Sequence, residues 1–242
     1  MDLDLARIEE AARIVDPVFR DSPQFASDDL CAALGRDVLV KIETINPVGS
    51  FKGRGADYLT RTLPPGGSIV CASSGNFGVA LAYTAKPRGI GVHVYVSPDI
   101  SPPRLARMQS LGATVSVADG DAGQAARAHA AAHPGCVLAN NHPAVAEGAG
   151  TIGVELLRAG RLDTVVLPVS DGTLITGTAR WIKAHSPRDP DHRRLPRRRP
   201  GRGAQLAGGP RRACRARPDR RRQPGDSRTR PGSGPPDARA RR

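Results

Sequence analysis

Lys52 stands between turn-forming glycines in the stretch Pro47-Val48-Gly49-Ser50-Phe51-Lys52-Gly53-Arg54-Gly55-Ala56. Gly49, Gly53 and Gly55 strip bulk from around it, as a site needs where a ligand approaches the backbone closely. Ser50 is a good N-cap, which puts Lys52 in the first turn of a helix. There the positive end of the helix dipole disfavours an ammonium. A lysine so placed is a candidate nucleophile or Schiff-base former. The plainer alternative is a solvated charge after a turn. A second stretch, Ala72-Ser73-Ser74-Gly75-Asn76-Phe77, follows one apolar run and opens the next helix. Free backbone N–H groups at such a junction attract an anion. Its plain alternative is an ordinary βα turn capped by Ser and Asn.

The elements around these stretches follow from periodicity. Leu5, Ile8, Ala12 and Val15 recur at helical spacing, and Asp16-Pro17 ends that helix. Asp21-Ser22-Pro23 reads as a turn. A short helix over 26–34 stops at Gly35. Residues 38–42 form an apolar strand ahead of the lysine. From 68 onward strand and helix alternate: strands at 68–72, 92–96, 114–117 and 136–138, and helices at 77–85, 102–111 and 122–132. This alternation predicts a parallel sheet with helices on its faces. A helix over 148–157, a strand over 164–169 and a helix over 174–184 complete the ordered part.

The net charge of +13 invites a nucleic-acid partner, but the charge is not spread evenly. Residues 1–186 carry 17 Lys and Arg against 18 Asp and Glu, so the basic excess lies beyond them. Residues 187–242 hold only Leu195 and Leu206 as large apolar side chains. Such a segment cannot bury enough surface to offset its ordering entropy, and disorder is expected. Three readings of it compete. It lacks the aromatic residues and regular Arg-Gly spacing of a nucleic-acid arm. It could be a plain solvated tail. Its Arg, Pro, Gly and Ala are what G/C-rich codons encode, and the abrupt switch favours an out-of-frame end. No specific nucleic-acid partner is expected.

Cys31, Cys71, Cys136 and Cys214 make no C-x-x-C pair, so neither a zinc site nor a disulfide framework is suggested. Cys71 and Cys136 sit in strand-like runs and read as small core residues. The six histidines show no metal-ligand spacing, and no metal is expected. No signal-like start and no apolar run long enough for a membrane span occur, so a cytoplasmic protein without a membrane partner is expected.

The lysine stretch carries a resemblance. Pro47-x-Gly49 followed by Ser50-Phe51-Lys52-x-Arg54-Gly55-Ala56 resembles the cofactor-lysine signature of pyridoxal-phosphate enzymes related to threonine dehydratase and serine racemase. The second stretch is similar to that family's Ser-x-Gly-Asn loop. The resemblance implies that Lys52 holds pyridoxal 5'-phosphate, beside Phe51. It implies that Asn76 bonds the cofactor's ring oxygen, and that Ser73, Ser74, Gly75, Asn76 and Phe77 cradle the substrate carboxylate. Ser74 occupies the position of a second proton-transfer base in serine racemases; its alternative is a hydrogen bond within the loop.

Ser170-Asp171-Gly172-Thr173-Leu174 aligns with the family's glycine-rich phosphate loop, whose amides and helix start face a dianion. Only Gly172 keeps the glycine character. Asp171 puts a carboxylate near the phosphate: turned away it leaves binding intact, and turned inward it lowers affinity. Arg107 to Val115 and Glu147 to Ile152 add diffuse agreement. The resemblance spans roughly 16–185. The family's later hydroxyl or thiol at the pyridine nitrogen has no counterpart in context within 187–242, nor have the acidic metal ligands of racemase-like members.

The implied fold is α/β, a two-domain three-layer parallel-sheet fold of the tryptophan synthase β-like type, with the C-terminal part of the large domain missing. Residues 1–67 and 144–186 would form the large domain and 68–143 the small one. The implied reaction is β-elimination from a hydroxy amino acid such as threonine or serine, giving a 2-oxo acid and ammonia. Lys52 would take the Cα proton. Racemisation through Lys52 and Ser74 is the alternative reaction. An inactive truncated product or a basic-tailed binding protein is the reading from outside enzymology. The expected partner is a small amino-acid substrate, with a homodimer left open.

Overall fold

The computed structural model describes residues 3–186, and the expectations for 187–242 lie outside them. Four strands form one parallel sheet in the order β5-β4-β3-β6: β3 (Ser68–Ala72), β4 (Gly91–Val96), β5 (Thr114–Val117) and β6 (Cys136–Leu138). In register, Val70 faces His93 on one side and Leu138 on the other, and Val94 faces Val115. β3 is buried on both faces and reads as a continuous apolar run, whereas β4 alternates buried valines with half-buried His93 and Tyr95, and both patterns are legible in the sequence.

Helices α4 (Asn76–Ala85), α5 (Pro102–Ser110) and α6 (Ala122–Ala132) connect these strands. The alternation along β4 assigns their faces. Val92, Val94 and Val96 are buried, and Val94 and Met108 of α5 crowd Gly78 of α4. On the other face His93 and Tyr95 stack with ring centroids 4.7 Å apart and meet His129 of α6. His129 in turn stacks on His133 at 4.1 Å. Burial and the neighbouring imidazoles push His93 and His129 below the ordinary histidine pKa.

A second group of elements carries the lysine. It comprises α1 (Leu5–Ile14), α2 (Asp28–Leu34), α3 (Lys52–Arg61), α7 (Pro143–Arg158) and α8 (Thr173–His185). The chain also makes a small antiparallel pair, β1 (Gln24–Ala26) with β2 (Leu39–Lys41). The sequence pattern shows a turn and then a helix from 26, and gives no sign of β1. A three-residue strand has too little periodicity to announce itself. α1 buries Ile8, Ala11 and then Val15, while Ala12 and Leu5 are only half-buried. α7 starts at Pro143, ahead of the expected start at 148, because proline is compatible with a first helical position and the His142 side chain caps it.

The strand expected at 164–169 does not form. Its alternation is real: Val165 and Leu167 pack on a small core of Ile152, Leu156 and Leu174, while Val166 is 90% exposed. Among the described residues no neighbouring strand offers it a hydrogen-bond ladder. A half-buried pattern without a partner stays irregular. Cys71 is fully buried, and burial pushes its thiol up to about 12. Cys136 is only half-buried, contrary to the core reading, because β6 is an edge strand.

Candidate functional site

The lysine turn is built by Asn46, a residue outside the motif. Asn46 Oδ1 accepts from Val48 N at 3.1 Å and Ser50 N at 3.4 Å. Asn46 Nδ2 donates to Glu43 O and Ser50 O at 3.0 and 3.1 Å. Gly49 takes φ +65°, which this turn requires. Asn46-Pro47 is a turn signal that could have pointed to this role. Ser50 is not the expected side-chain cap. The position before α3 is Phe51, without a side-chain cap, and the buried Ser50 Oγ has no protein partner among the described residues. Asn46 already holds the backbone that a serine cap would have organised. Lys52 is nevertheless the first residue of α3.

Two of the glycines serve packing rather than ligand access. A Cβ on Gly53 would lie 2.3 Å from the Phe19 ring, and one on Gly55 would lie 2.3 Å from Val145 O of α7. They let α3 approach its neighbours. Arg54, between them, is fully buried. Its Nη1 and Nη2 donate to Glu155 at 2.6 and 3.0 Å, and Nε and Nη2 donate to Glu43 at 2.8 and 2.9 Å. Lys41 Nζ closes on Glu155 at 2.6 Å. This charged cluster fixes the helix that begins at Lys52. In the sequence Arg54 is only a motif letter, because its partners lie 11 and 101 residues away.

The Lys52 side chain is 12% exposed. Its Nζ lies 5.0 Å from the Phe51 ring centroid and 5.5 Å from that of Phe77. It forms an ion pair with Asp171 Oδ2. The expected disfavoured ammonium therefore meets a carboxylate counter-charge. Burial works to raise the Asp171 carboxyl, but the Lys52 contact and the Thr173 N–H outweigh it and hold the pKa below its ordinary value. Of the two orientations considered for Asp171, the structure has the inward one.

The 72–77 stretch is a junction between β3 and α4. Asn140 clamps the strand end, accepting from Ala72 N at 2.7 Å and donating to Ala72 O at 3.0 Å. Ser73 Oγ accepts from Gly75 N at 3.3 Å and Gly78 N at 3.1 Å. Gly75 N–H is therefore engaged, contrary to its place in the expected cradle. The N–H groups of Ser74, Asn76 and Phe77 have no partner among the described residues. Ser74 Oγ accepts from Ser97 N at 2.9 Å, which leaves its own O–H free to donate. Asn76 is exposed at the start of α4. At the third stretch Gly172 takes φ +81° and Asp171 Oδ1 accepts from Thr173 N at 3.1 Å. Ser170 is exposed, and Leu174 is buried in the same small core that Phe51 packs against.

These features fit a flat aromatic cofactor held through a lysine. Two aromatic rings flank the amine, and free N–H groups face outward from one helix start. Asp171 is the one group at odds with a phosphate. Among the described residues no cluster of acidic, His or Cys side chains is arranged for a metal, and no helix is long and apolar enough to cross a membrane.

Fold and site together define an α/β protein with a part-buried lysine at a helix start. Residues 15–207 match the family model described as "Pyridoxal-phosphate dependent enzyme", and the chain belongs to that family. The match runs past 185, where the motif resemblance ends. The chain is 35% identical over 178 residues to the biosynthetic chloroplastic threonine dehydratase of Arabidopsis thaliana, covering 69% of this chain and 30% of that protein. It is 31% identical over 196 residues to the serine racemase of Homo sapiens, covering 76% of this chain and 58% of that one. Among solved structures, a T.th. threonine deaminase superposes with a TM-score of 0.66 at 32% identity, over 76% of this chain and 62% of the other. The serine racemase of Dictyostelium discoideum gives 0.70 at 28%, over 76% and 63%. The chain thus spans less than two thirds of the length of these relatives. It has the α/β fold of the tryptophan synthase β-like type that they share.

Proposed function

We propose that the chain carries the cofactor-lysine half of a lyase that eliminates the β-hydroxyl of threonine or serine, yielding a 2-oxo acid and ammonia. The observation that carries this reading is the meeting of three separate stretches at one amine: Lys52 Nζ lies by Phe51, by Phe77 of the cradle and by Asp171 of the 170–174 loop. In this reading residues 1–67 and 144–186 form the cofactor domain and 68–143 the smaller domain.

Lys52, beside Phe51 and Phe77, would hold the cofactor, the main-chain amides of 170–174 would take its phosphate, and Asn76 would bond its ring oxygen. When bound, the cofactor supplies an electron sink for the charge left at Cα. The free N–H groups of Ser74, Asn76 and Phe77 bind the substrate carboxylate and orient the Cα–H bond. The Lys52 amine, once released from Asp171, removes the Cα proton. The β-hydroxyl would leave as water with the proton that Lys52 took from Cα, and a second water would hydrolyse the dehydrated product to the 2-oxo acid and ammonia.

One observation favours racemisation as a second reading. Ser74 keeps a free O–H in the cradle, held from behind by Ser97 N. A proton donor there would return a proton to Cα if it met the face that Lys52 does not.

The test is chemical labelling of the full chain. With pyridoxal 5'-phosphate and borohydride, mass spectrometry finds a phosphopyridoxyl group on Lys52, and Lys52→Ala loses that adduct. Ammonia release from L-threonine and L-serine, with chiral chromatography of the remaining amino acid, separates the two reactions. Absence of the Lys52 adduct overturns both.

A further inference from the structure

The Asp171 carboxylate joins two groups that the reading above assigns to different ends of the cofactor. One oxygen pairs with Lys52 Nζ, the atom that anchors. The other accepts from Thr173 N at 3.1 Å, the first amide of α8 and part of the phosphate loop. The carboxylate thus sits as an anion at the start of a thirteen-residue helix. Its own side chain is 45% exposed, against 12% for Lys52. Among the described residues its ion-pair partner is Lys52, and the Thr173 main chain and side chain also bond it, so leaving this place breaks all of these contacts.

We propose that Asp171 is a built-in occupant of the anion seat at the N-terminus of α8, and that a phosphorylated ligand enters only by displacing it. The inference rests on the assignment of 170–174 as the phosphate loop. Two anions cannot share one set of amides without repulsion. Displacement also frees the Lys52 amine, so filling the seat and releasing the lysine are one event. Asp171 therefore determines specificity. It selects against ligands whose affinity comes from a phosphate dianion, and it leaves the unphosphorylated aldehyde to compete on nearly equal terms.

Three variants of the full chain test this. Asp171→Asn keeps the shape and an acceptor for Thr173 N–H but removes the charge. Asp171→Gly removes the side chain, and Asp171→Glu keeps the charge. Calorimetric titration with inorganic phosphate reads the seat alone. The expected result is binding about tenfold tighter in Asp171→Asn and Asp171→Gly than in the parent, and no gain in Asp171→Glu. Borohydride trapping at Lys52 then compares pyridoxal 5'-phosphate with pyridoxal. The preference for the phosphate ester is expected to rise by a similar factor in the two uncharged variants.

Unchanged phosphate affinity in both uncharged variants overturns the proposal. So does an equal gain for pyridoxal and its phosphate, which would place the whole effect at Lys52. If neither compound labels Lys52 in any variant, the functional reading fails, and the inorganic-phosphate titration decides the seat by itself. If Lys52 is labelled throughout with no change in phosphate preference, the functional reading stands and the proposal falls.

Discussion

Arg54 and Glu155 face each other across the contact of α3 with α7, joined by two hydrogen bonds of 2.6 and 3.0 Å. The guanidinium is fully buried and the carboxylate nearly so. Lys52, the proposed cofactor lysine, stands two residues before Arg54 on the same helix. The pair therefore ties the start of α3 to the helix packed against it.

Removing one member leaves a buried charge short of its partner. Glu155→Gln is expected to cost about 3 kcal/mol of unfolding free energy, measured by urea denaturation. The double variant Arg54→Met/Glu155→Leu is expected to cost less than the sum of Arg54→Met and Glu155→Leu, since neither charge is then left buried without the other. Additive losses would show that the two side chains are not coupled.

The same carboxylate sets an acid limit. Burial alone would raise its pKa, but hydrogen bonding and charge from Arg54, then Lys41 and Asp21 N–H, hold it at about 2 against an ordinary 4.5. The folded value is depressed, so the unfolded chain binds the proton more readily. The stabilisation is complete above about pH 4.5 and is lost as pH falls toward about 2. Urea midpoints followed downward in pH through this window should fall, and the fall should be shallower in Glu155→Gln.

Helix approach makes a second demand near the lysine. Gly55→Ala puts a methyl against the Val145 carbonyl, and the expected cost is about 2 kcal/mol. Gly49→Ala meets open space but a φ of +65°, and the expected cost is about 1 kcal/mol. Pyridoxyl labelling of Lys52 should slow in Gly55→Ala, where α3 must shift. Equal behaviour of the two variants would remove the argument from close packing.

The cradle has its own cap. Ser73→Ala removes the acceptor for Gly75 N and Gly78 N, with an expected cost of about 1 kcal/mol. Because the neighbouring amides lose their alignment, KM for the amino acid is expected to rise more than kcat falls. A change in kcat alone would place Ser73 in the chemistry instead.

Ser74 separates the two reactions. Ser74→Ala is expected to keep ammonia release within a few-fold and to lower racemisation by about 100-fold or more. Parallel loss of both would mean that the bond from Ser97 N is its whole role.

Much of this protein is legible in the residues alone. The parallel sheet follows from apolar runs alternating with helical spacing, because a buried strand such as β3 and an alternating one such as β4 both leave a short-range pattern. Lys52 follows from a local motif, and its place at a helix start depends only on neighbours in the chain. The stretch 164–169 misleads because a pattern of alternation reports burial, whereas a strand also needs a partner for its backbone. Ser50 misleads because Asn46 competes for the same turn. The partners of Arg54, the packing role of Gly53 and Gly55, and the inward turn of Asp171 are decided by tertiary structure alone. Each depends on a contact between segments far apart in the chain, and charge pairing at such range leaves no period in the sequence to read.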